Sequence, residues 1–114
     1  MITAIRSIVY HVNDLTAAKK WYADAFGIKP YFDEMFYVGF DINGTELGLD
    51  PDPSDYTGGF NNITYWQVED IHAVFINLKS KEIKVHREIS DVGGGMLLGS
   101  VEDPFGNVIG LIQG

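Results

Sequence analysis

The chain has 114 residues, no cysteine and a formal net charge of −8, which fits one domain without disulfides, thiolate nucleophiles or cysteine-based zinc sites. An acidic chain repels phosphate backbones, and no apolar run approaches the roughly 20 residues that a membrane span needs, so neither nucleic acid nor a membrane is an expected partner. The first residues lack the pattern of a signal peptide, and we expect a cytoplasmic protein.

The first half of the chain predicts a strand, a helix and three strands. Residues 5–12 are rich in β-branched and aromatic side chains, which are typical of a strand. Asp14 is the predicted N-cap of a helix that ends at Gly27. Three strands follow at residues 29–32, 35–40 and 45–50, and Asn43-Gly44 predicts a tight hairpin turn before the last of them.

The same order of elements is predicted again after a linker at residues 51–59. A strand at residues 63–68 leads to a helix that begins at Asp70, and strands follow at residues 83–87, 96–102 and 108–112. Gly93-Gly94-Gly95 accounts for extra residues in this second copy. These glycines form either the hinge of a lid or a flexible hairpin.

Two ordered sequence matches indicate a duplication. Val12-Asn13-Asp14-Leu15 returns as Val68-Glu69-Asp70-Ile71, and residues 41–49 share the pattern D-x-x-G-x-x-[LI]-G-L with residues 103–111. A repeated supersecondary unit buries its apolar faces against a second copy. We therefore predict a single α+β domain of two βαβββ modules in tandem, residues 1–50 and 60–114, whose mixed and curved sheets form a cavity.

The motifs V-x-D-L, F-D-I-N-G-T-E-L-G-L, V-E-D-I and E-D-P-F-G-N-V-I-G-L together resemble the vicinal oxygen chelate superfamily. This superfamily includes glyoxalase I, extradiol dioxygenases and bleomycin-resistance proteins. The resemblance covers residues 5–112 and implies paired modules, usually in a homodimer. It also implies four metal-ligand positions, which here carry Ser7, Gly48, Ile63 and Gly110. Since these residues are not normal metal ligands, we expect neither a metal nor another cofactor.

Alternation along the strands predicts which side chains share the cavity face. The first and last strands of each module give the candidate ligand-binding residues Ser7, Val9, His11, Glu46, Gly48, Asp50, Ile63, Tyr65, Gln67 and Gly110. Apolar walls with a few polar groups are typical of a site for a small organic molecule.

The paired glycines have two interpretations. Glycine inside a strand costs about 0.5–1 kcal/mol relative to alanine, so its occurrence at both Gly48 and Gly110 needs a reason. Either the glycines leave room for a ligand, which we favour, or they lie at a bulge or in a packed interior. If they leave room, leucine at either position enters a void and the fold survives.

His11 and Glu46 are the candidates for proton transfer. His11 is a general base or a pocket donor if it faces the cavity, and a rim residue otherwise. Glu46 replaces a lost carboxylate in a His11–Glu46 pair, or it is an exposed glutamate beside a hairpin. His86 has no partner that the sequence pattern predicts.

Three functions remain open at this stage. The first, which we favour, is a metal-free protein of the bleomycin-resistance type that binds a small organic molecule. The net negative charge of the chain either attracts a cationic ligand or only keeps the protein surface solvated. The second is a lyase, isomerase or dioxygenase-type enzyme with an atypical or metal-free site, using His11 with Glu46 or Asp50. The third is a dimerisation module without a ligand.

Overall fold

The computed structural model describes residues 1–55 and 62–114, which form two four-stranded sheets with one α-helix each. The chain divides into two units, residues 1–57 and 58–114, called here the first and second modules. Each has the order strand, helix, three strands, which confirms the predicted α+β fold of two βαβββ modules. A short 3-10 helix at Pro53–Asp55 lies in the predicted linker, whose residues 56–59 are outside the described residues.

The first module consists of β1 (Ser7–His11), α1 (Leu15–Phe26), β2 (Phe32–Glu34), β3 (Tyr37–Ile42) and β4 (Thr45–Asp50). The strand order is β1-β4-β3-β2, and only the β1–β4 pair in this sheet is parallel. The prediction of a strand at residues 29–32 is wrong. The Ile28 N–H still donates to the carbonyl oxygen of Ala23 in α1, and Pro30 has no N–H to donate to a neighbouring strand.

The second module consists of β5 (Thr64–Gln67), α2 (Ile71–Lys79), β6 (Lys84–Asp91), β7 (Leu97–Glu102) and β8 (Val108–Gln113), in the order β5-β8-β7-β6. β6 continues past its predicted end at residue 87. A tight connection then joins it to β7, with the Val92 N–H donating to the Met96 carbonyl at 2.9 Å. This geometry favours the hairpin interpretation of Gly93-Gly94-Gly95 over a lid.

The predicted helix caps and turn are confirmed. The carboxylates of Asp14 and Asp70 each accept a hydrogen bond at 3.1 Å from a backbone N–H in the first turn of their helices. Gly27 ends α1 in the left-handed conformation, with φ 68°. Asn43 and Gly44 both have positive φ, as a two-residue hairpin between β3 and β4 requires.

Each helix packs on one face of its own sheet. The buried apolar side chains include Tyr22, Phe40, Leu47 and Leu49 in the first module and Ile71, Phe75, Val101 and Ile109 in the second. The opposite face of each sheet carries the predicted site residues. In the described part of the chain, neither helix is long and apolar enough to cross a bilayer.

Candidate functional site

The parallel pairing in each module fixes which candidates are neighbours. In the first module the paired residues are Ser7 with Glu46, Val9 with Gly48, and His11 with Asp50. In the second module they are Tyr65 with Gly110, and Gln67 with Ile112, while Ile63 directly precedes β5. The side chains therefore share faces as alternation predicted.

Glu46 lies at the centre of a cluster of three hydroxyl groups. Its Oε2 accepts from the Ser7 hydroxyl at 3.1 Å and from the Tyr37 hydroxyl at 2.7 Å, and its Oε1 accepts from the Tyr31 hydroxyl. A Cβ at Gly39 would lie 2.9 Å from Oε1 of Glu46, so glycine there lets the carboxylate lie against the sheet. The interpretation of Glu46 as an exposed glutamate beside a hairpin is wrong.

The cluster keeps Glu46 ionised. The hydrogen bond from Tyr31, followed by those from Tyr37 and Ser7, holds the pKa of Glu46 below its ordinary value despite partial burial. The same carboxylate raises the pKa of Tyr31. Burial, together with the bond to Glu46, raises the pKa of Tyr37 well above its ordinary value. A carboxylate held in this way is a poor proton acceptor and a good anchor for hydroxyl groups.

Of the two carboxylates predicted to act with His11, the register places Asp50 beside it and Glu46 farther along the sheet. The register puts His11 four residues from Glu46 along the paired strands, a distance of about 13 Å, so the predicted His11–Glu46 pair is wrong. Its strand neighbour is Asp50. His11 also contributes to lowering the pKa of Asp52, although the two hydrogen bonds from Ser54 contribute more.

A tyrosine covers each of the paired glycines. A Cβ at Gly48 would lie 2.5 Å from Cζ of Tyr37 and still closer to its hydroxyl. A Cβ at Gly110 would lie 2.6 Å from Cδ1 of Tyr65 and 2.8 Å from the carbonyl oxygen of Thr64. Real Cβ atoms essentially never approach heavy atoms this closely. Tyrosine rings thus fill the space beside both glycines, which contradicts the prediction that these glycines leave room for a ligand and favours the packed alternative.

An open cleft of about 730 Å³ lies beside the tyrosine cluster in the first module. We call it the aromatic–acidic cleft; it is lined by Phe32, Met35, Phe36, Tyr37, Asp50, Pro51, Asp52 and Pro53. Met35 and Phe36 are 94% and 68% exposed. Hydrogen bonds from the backbone N–H and the hydroxyl of Ser54 keep the pKa of Asp52 low, so this carboxylate is ionised. None of these lining residues is basic.

A second cleft, of about 500 Å³, lies in the second module. We call it the arginine–serine cleft; its lining comprises Ile63, Tyr65, Arg87, Glu88, Ser90, Val92, Leu98, Gly99 and Ser100. His86 Nδ1 lies 2.8 Å from the Ser100 hydroxyl oxygen, a partner that the sequence pattern did not predict. Of the predicted candidates, Ile63 and Tyr65 line this cleft, whereas Gln67 is exposed and its side-chain amide lies 3.5 Å from the Val68 carbonyl.

The metal-ligand positions implied by the resemblance do not assemble a metal site. Within residues 1–55 and 62–114, no group of three or more His, Asp or Glu side chains has a geometry that holds a metal ion. Tyrosines cover the backbone at both glycine positions. The residues present therefore do not fit the divalent metal of the metal-dependent relatives.

Several residues of the two clefts and of the tyrosine cluster are absent from the sequence prediction. Tyr37 and Gly39 could have been found, because β3 pairs with β4 and places Gly39 opposite Gly48 on the candidate face. Tyr31 lies outside a strand, and Arg87 lies at an irregular point of β6. Alternation gives no orientation for either.

The sequence matches the family model of the Glyoxalase/Bleomycin resistance protein/Dioxygenase superfamily over residues 4–111. The chain therefore belongs to this superfamily, as the sequence motifs indicated. A comparison with functionally curated proteins gives no match.

Solved structures with the same fold include a glyoxalase-related enzyme from Fulvimarina pelagi, at TM-score 0.81 and 18% identity, covering 99% of this chain and 89% of that one. A lactoylglutathione lyase from Agrobacterium tumefaciens aligns at TM-score 0.79 and 20% identity, covering 100% and 96%. A superfamily member from Sphaerobacter thermophilus aligns at TM-score 0.77 and 22% identity, covering 99% and 98%. At these identities the likeness establishes the fold.

Proposed function

We propose that this protein binds a small organic cation in the aromatic–acidic cleft without using a metal. The observation that carries the proposal is the lining of the cleft. It combines exposed aromatic side chains with the carboxylates of Asp50 and Asp52 and has no basic group among its lining residues.

The aromatic side chains supply both apolar area and electron-rich faces. The rings of Phe32 and Phe36 are 6.1 Å apart with their planes at 69°, and Tyr37 lies 6.2 Å from Phe32. A cation against such rings gains about 0.5–2 kcal/mol per contact, more when water is excluded. Tyr37 is held in place by its bond to Glu46, so this wall of the cleft is preorganised.

Charge favours a cationic ligand over a neutral or anionic one. The two carboxylates line the cleft, and the whole chain carries a net charge of −8. Such a field attracts cations over long range and raises their association rate at low salt. Membership of a superfamily that includes bleomycin resistance proteins also supports a binding function.

The proposal is tested by titrating phenyltrimethylammonium into the full chain, with benzyl alcohol as a neutral aromatic control. Asp50→Asn and Asp52→Asn each keep one acceptor oxygen but remove a charge. Each is expected to weaken binding about fivefold, the effect of roughly 1 kcal/mol. Asp24→Asn is the matched control, because it removes the same charge from an exposed position of α1.

Two results would contradict the proposal. One is the absence of saturable phenyltrimethylammonium binding, which would favour a dimerisation module. The other is equal binding by Asp24→Asn and Asp50→Asn, which would leave only a diffuse effect of net charge. A further variant, Phe36→Ala, is expected to weaken the binding of phenyltrimethylammonium more than that of tetramethylammonium, because the contact with the phenyl ring of the ligand is lost.

An enzymatic function is the second candidate, favoured by the pairing of His11 with Asp50. An imidazole next to a carboxylate that lines a cleft is suited to moving a proton to or from a bound molecule. An assay for lactoylglutathione lyase activity tests it. Turnover that His11→Asn abolishes, with phenyltrimethylammonium binding unchanged, would support this candidate over simple binding.

A further inference from the structure

A β-bulge in β6 brings two basic side chains to one point of the second sheet. Val85 pairs with Val101 and Arg87 pairs with Ser100, so two steps along β6 match one step along β7. A bulge of this kind sets two consecutive residues against one residue of the partner strand. His86 and Arg87 therefore both lie at Ser100, and the contact between His86 Nδ1 and the Ser100 hydroxyl, at 2.8 Å, is the result.

The Arg87 side chain lines the arginine–serine cleft and is exposed there. Within the part of the chain that the structure describes, its guanidinium forms no ion pair or hydrogen bond. A guanidinium presents a planar fork of N–H donors that matches the two oxygens of a carboxylate. The Arg87 fork is therefore available to an anionic group that enters the cleft.

Ser100 supplies a second donor at the floor of the cleft. Its side chain is 1% exposed, yet it belongs to the lining. When Nδ1 of His86 carries a proton, it donates to the Ser100 oxygen, and the hydroxyl proton is then free to point at a bound anion. Hydrogen bonds at such a buried position are stronger than those in water.

We propose that the arginine–serine cleft binds the carboxylate of a small organic molecule, with Arg87 and Ser100 as its donors and His86 as the residue that orients Ser100. Ile63, Val92 and Leu98 give the cleft an apolar wall for the rest of the molecule. Glu88 also lines the cleft, and its negative charge opposes a phosphate dianion more than a monoanion. The residues that line this cleft are all different from those of the proposed cation site, and they favour the opposite charge.

The experiment is an NMR titration of the full chain with sodium benzoate, following backbone amides of β6 and β7. Benzamide, which has the same shape without the charge, is the neutral control. The parent is expected to show saturable shifts. Arg87→Gln is expected to weaken benzoate about tenfold, the effect of losing one charge-assisted bidentate contact. Arg87→Lys is expected to bind benzoate with an affinity between those of the parent and of Arg87→Gln, since lysine keeps the charge but lacks the planar fork of N–H donors.

Lys84→Gln is the matched control, because Lys84 is an exposed cation of the same strand that does not line the cleft. It is expected to bind benzoate like the parent. Ser100→Ala is expected to weaken benzoate binding as well. The melting temperature of this variant shows whether the protein is still folded, so that an effect of losing the hydroxyl is distinguished from an effect of unfolding.

Each outcome decides for or against the site. Saturable benzoate binding that falls in Arg87→Gln but not in Lys84→Gln supports it. No saturable shift in the parent, an equal loss in both variants, or tighter binding of inorganic phosphate than of benzoate overturns it. Phenyltrimethylammonium titrated into the same Arg87→Gln sample is expected to bind as in the parent, so a failure of one proposal is distinguishable from a failure of the other.

Discussion

Gly48→Ala is expected to destabilise the protein, because Tyr37 occupies the space that the new Cβ needs. The Cβ would lie 2.5 Å from Cζ of Tyr37, so the ring must turn away and give up its 2.7 Å hydrogen bond to the Glu46 carboxylate. Losing a hydrogen bond to a charged group costs about 1.5–3 kcal/mol, and alanine in place of glycine in a strand returns about 0.5–1 kcal/mol.

The net cost is about 0.5–2.5 kcal/mol, which for a domain of this size lowers the melting temperature by roughly 2–10 °C. Urea unfolding of the parent, Gly48→Ala, Tyr37→Ala and the double variant forms a double-mutant cycle. In the Tyr37→Ala background the alanine at position 48 is expected to cost nothing. An equal cost in both backgrounds, or a single Gly48→Ala variant as stable as the parent, would refute the reasoning.

Gly110→Ala is the matched control for this cycle. Its Cβ would meet both the Tyr65 ring and the carbonyl oxygen of Thr64, at 2.6 and 2.8 Å. Removing the ring with Tyr65→Ala leaves the backbone oxygen in place. The cost of Gly110→Ala is therefore expected to persist in the Tyr65→Ala background, unlike the cost of Gly48→Ala without Tyr37.

Three further predictions concern acid stability, metal content and assembly. Hydroxyl donors hold the folded-state pKa of Glu46 below its unfolded value. The contribution of Glu46 to stability is therefore complete above the unfolded pKa and is lost as the pH falls through the folded pKa. Glu46→Gln is expected to flatten the acid side of a curve of unfolding free energy against pH. Elemental analysis after dialysis is expected to find no stoichiometric divalent metal, and about one zinc, nickel, manganese or iron ion per chain would contradict this. Sedimentation is expected to show a homodimer, against the chain mass of 12.7 kDa.

The sequence predicted most of the fold because local signals and the repeat agree. Asp14 and Asp70 mark the helix starts, and Asn43-Gly44 marks the hairpin that joins β3 to β4. The predicted bounds of β4, residues 45–50, agree with the structure. The error at β2 is a displacement of the strand, which was predicted at residues 29–32 and lies at Phe32–Glu34, because the Ile28 N–H still bonds to the Ala23 carbonyl at the end of α1.

The site was predicted less well because its contacts depend on tertiary structure. Alternation put Glu46 and Ser7 on the same face, but it gave no means to see that hydroxyls of Ser7, Tyr31 and Tyr37 reach one carboxylate. Arg87 was missed because only the first and last strands of each module were considered, and the bulge in β6 interrupts alternation at Arg87 in any case. A period-two pattern predicts faces only where the ladder is regular.

The two modules cover their equivalent glycines with tyrosines from different strands. Tyr65 pairs with Gly110 as Val9 pairs with Gly48, so the second module has a ring in its first strand where the first module has a valine. In the first module the covering ring is that of Tyr37, from β3. The same space is therefore filled by non-equivalent side chains, which no comparison of the repeats alone would reveal.

The strand next to each glycine, β3 in the first module and β7 in the second, makes the candidate faces of the two sheets differ in charge. Gly39 lies opposite Gly48, and its lack of a side chain lets the Glu46 carboxylate lie over that position. Ser100 lies opposite Gly110 in the equivalent place, and the bulge of β6 sets Arg87 against it. A common backbone thus presents a carboxylate in one module and a guanidinium in the other. The anion preference proposed for the arginine–serine cleft follows from this local difference, because Arg87 lines that cleft, whereas the cation preference of the other cleft depends on Asp50 and Asp52.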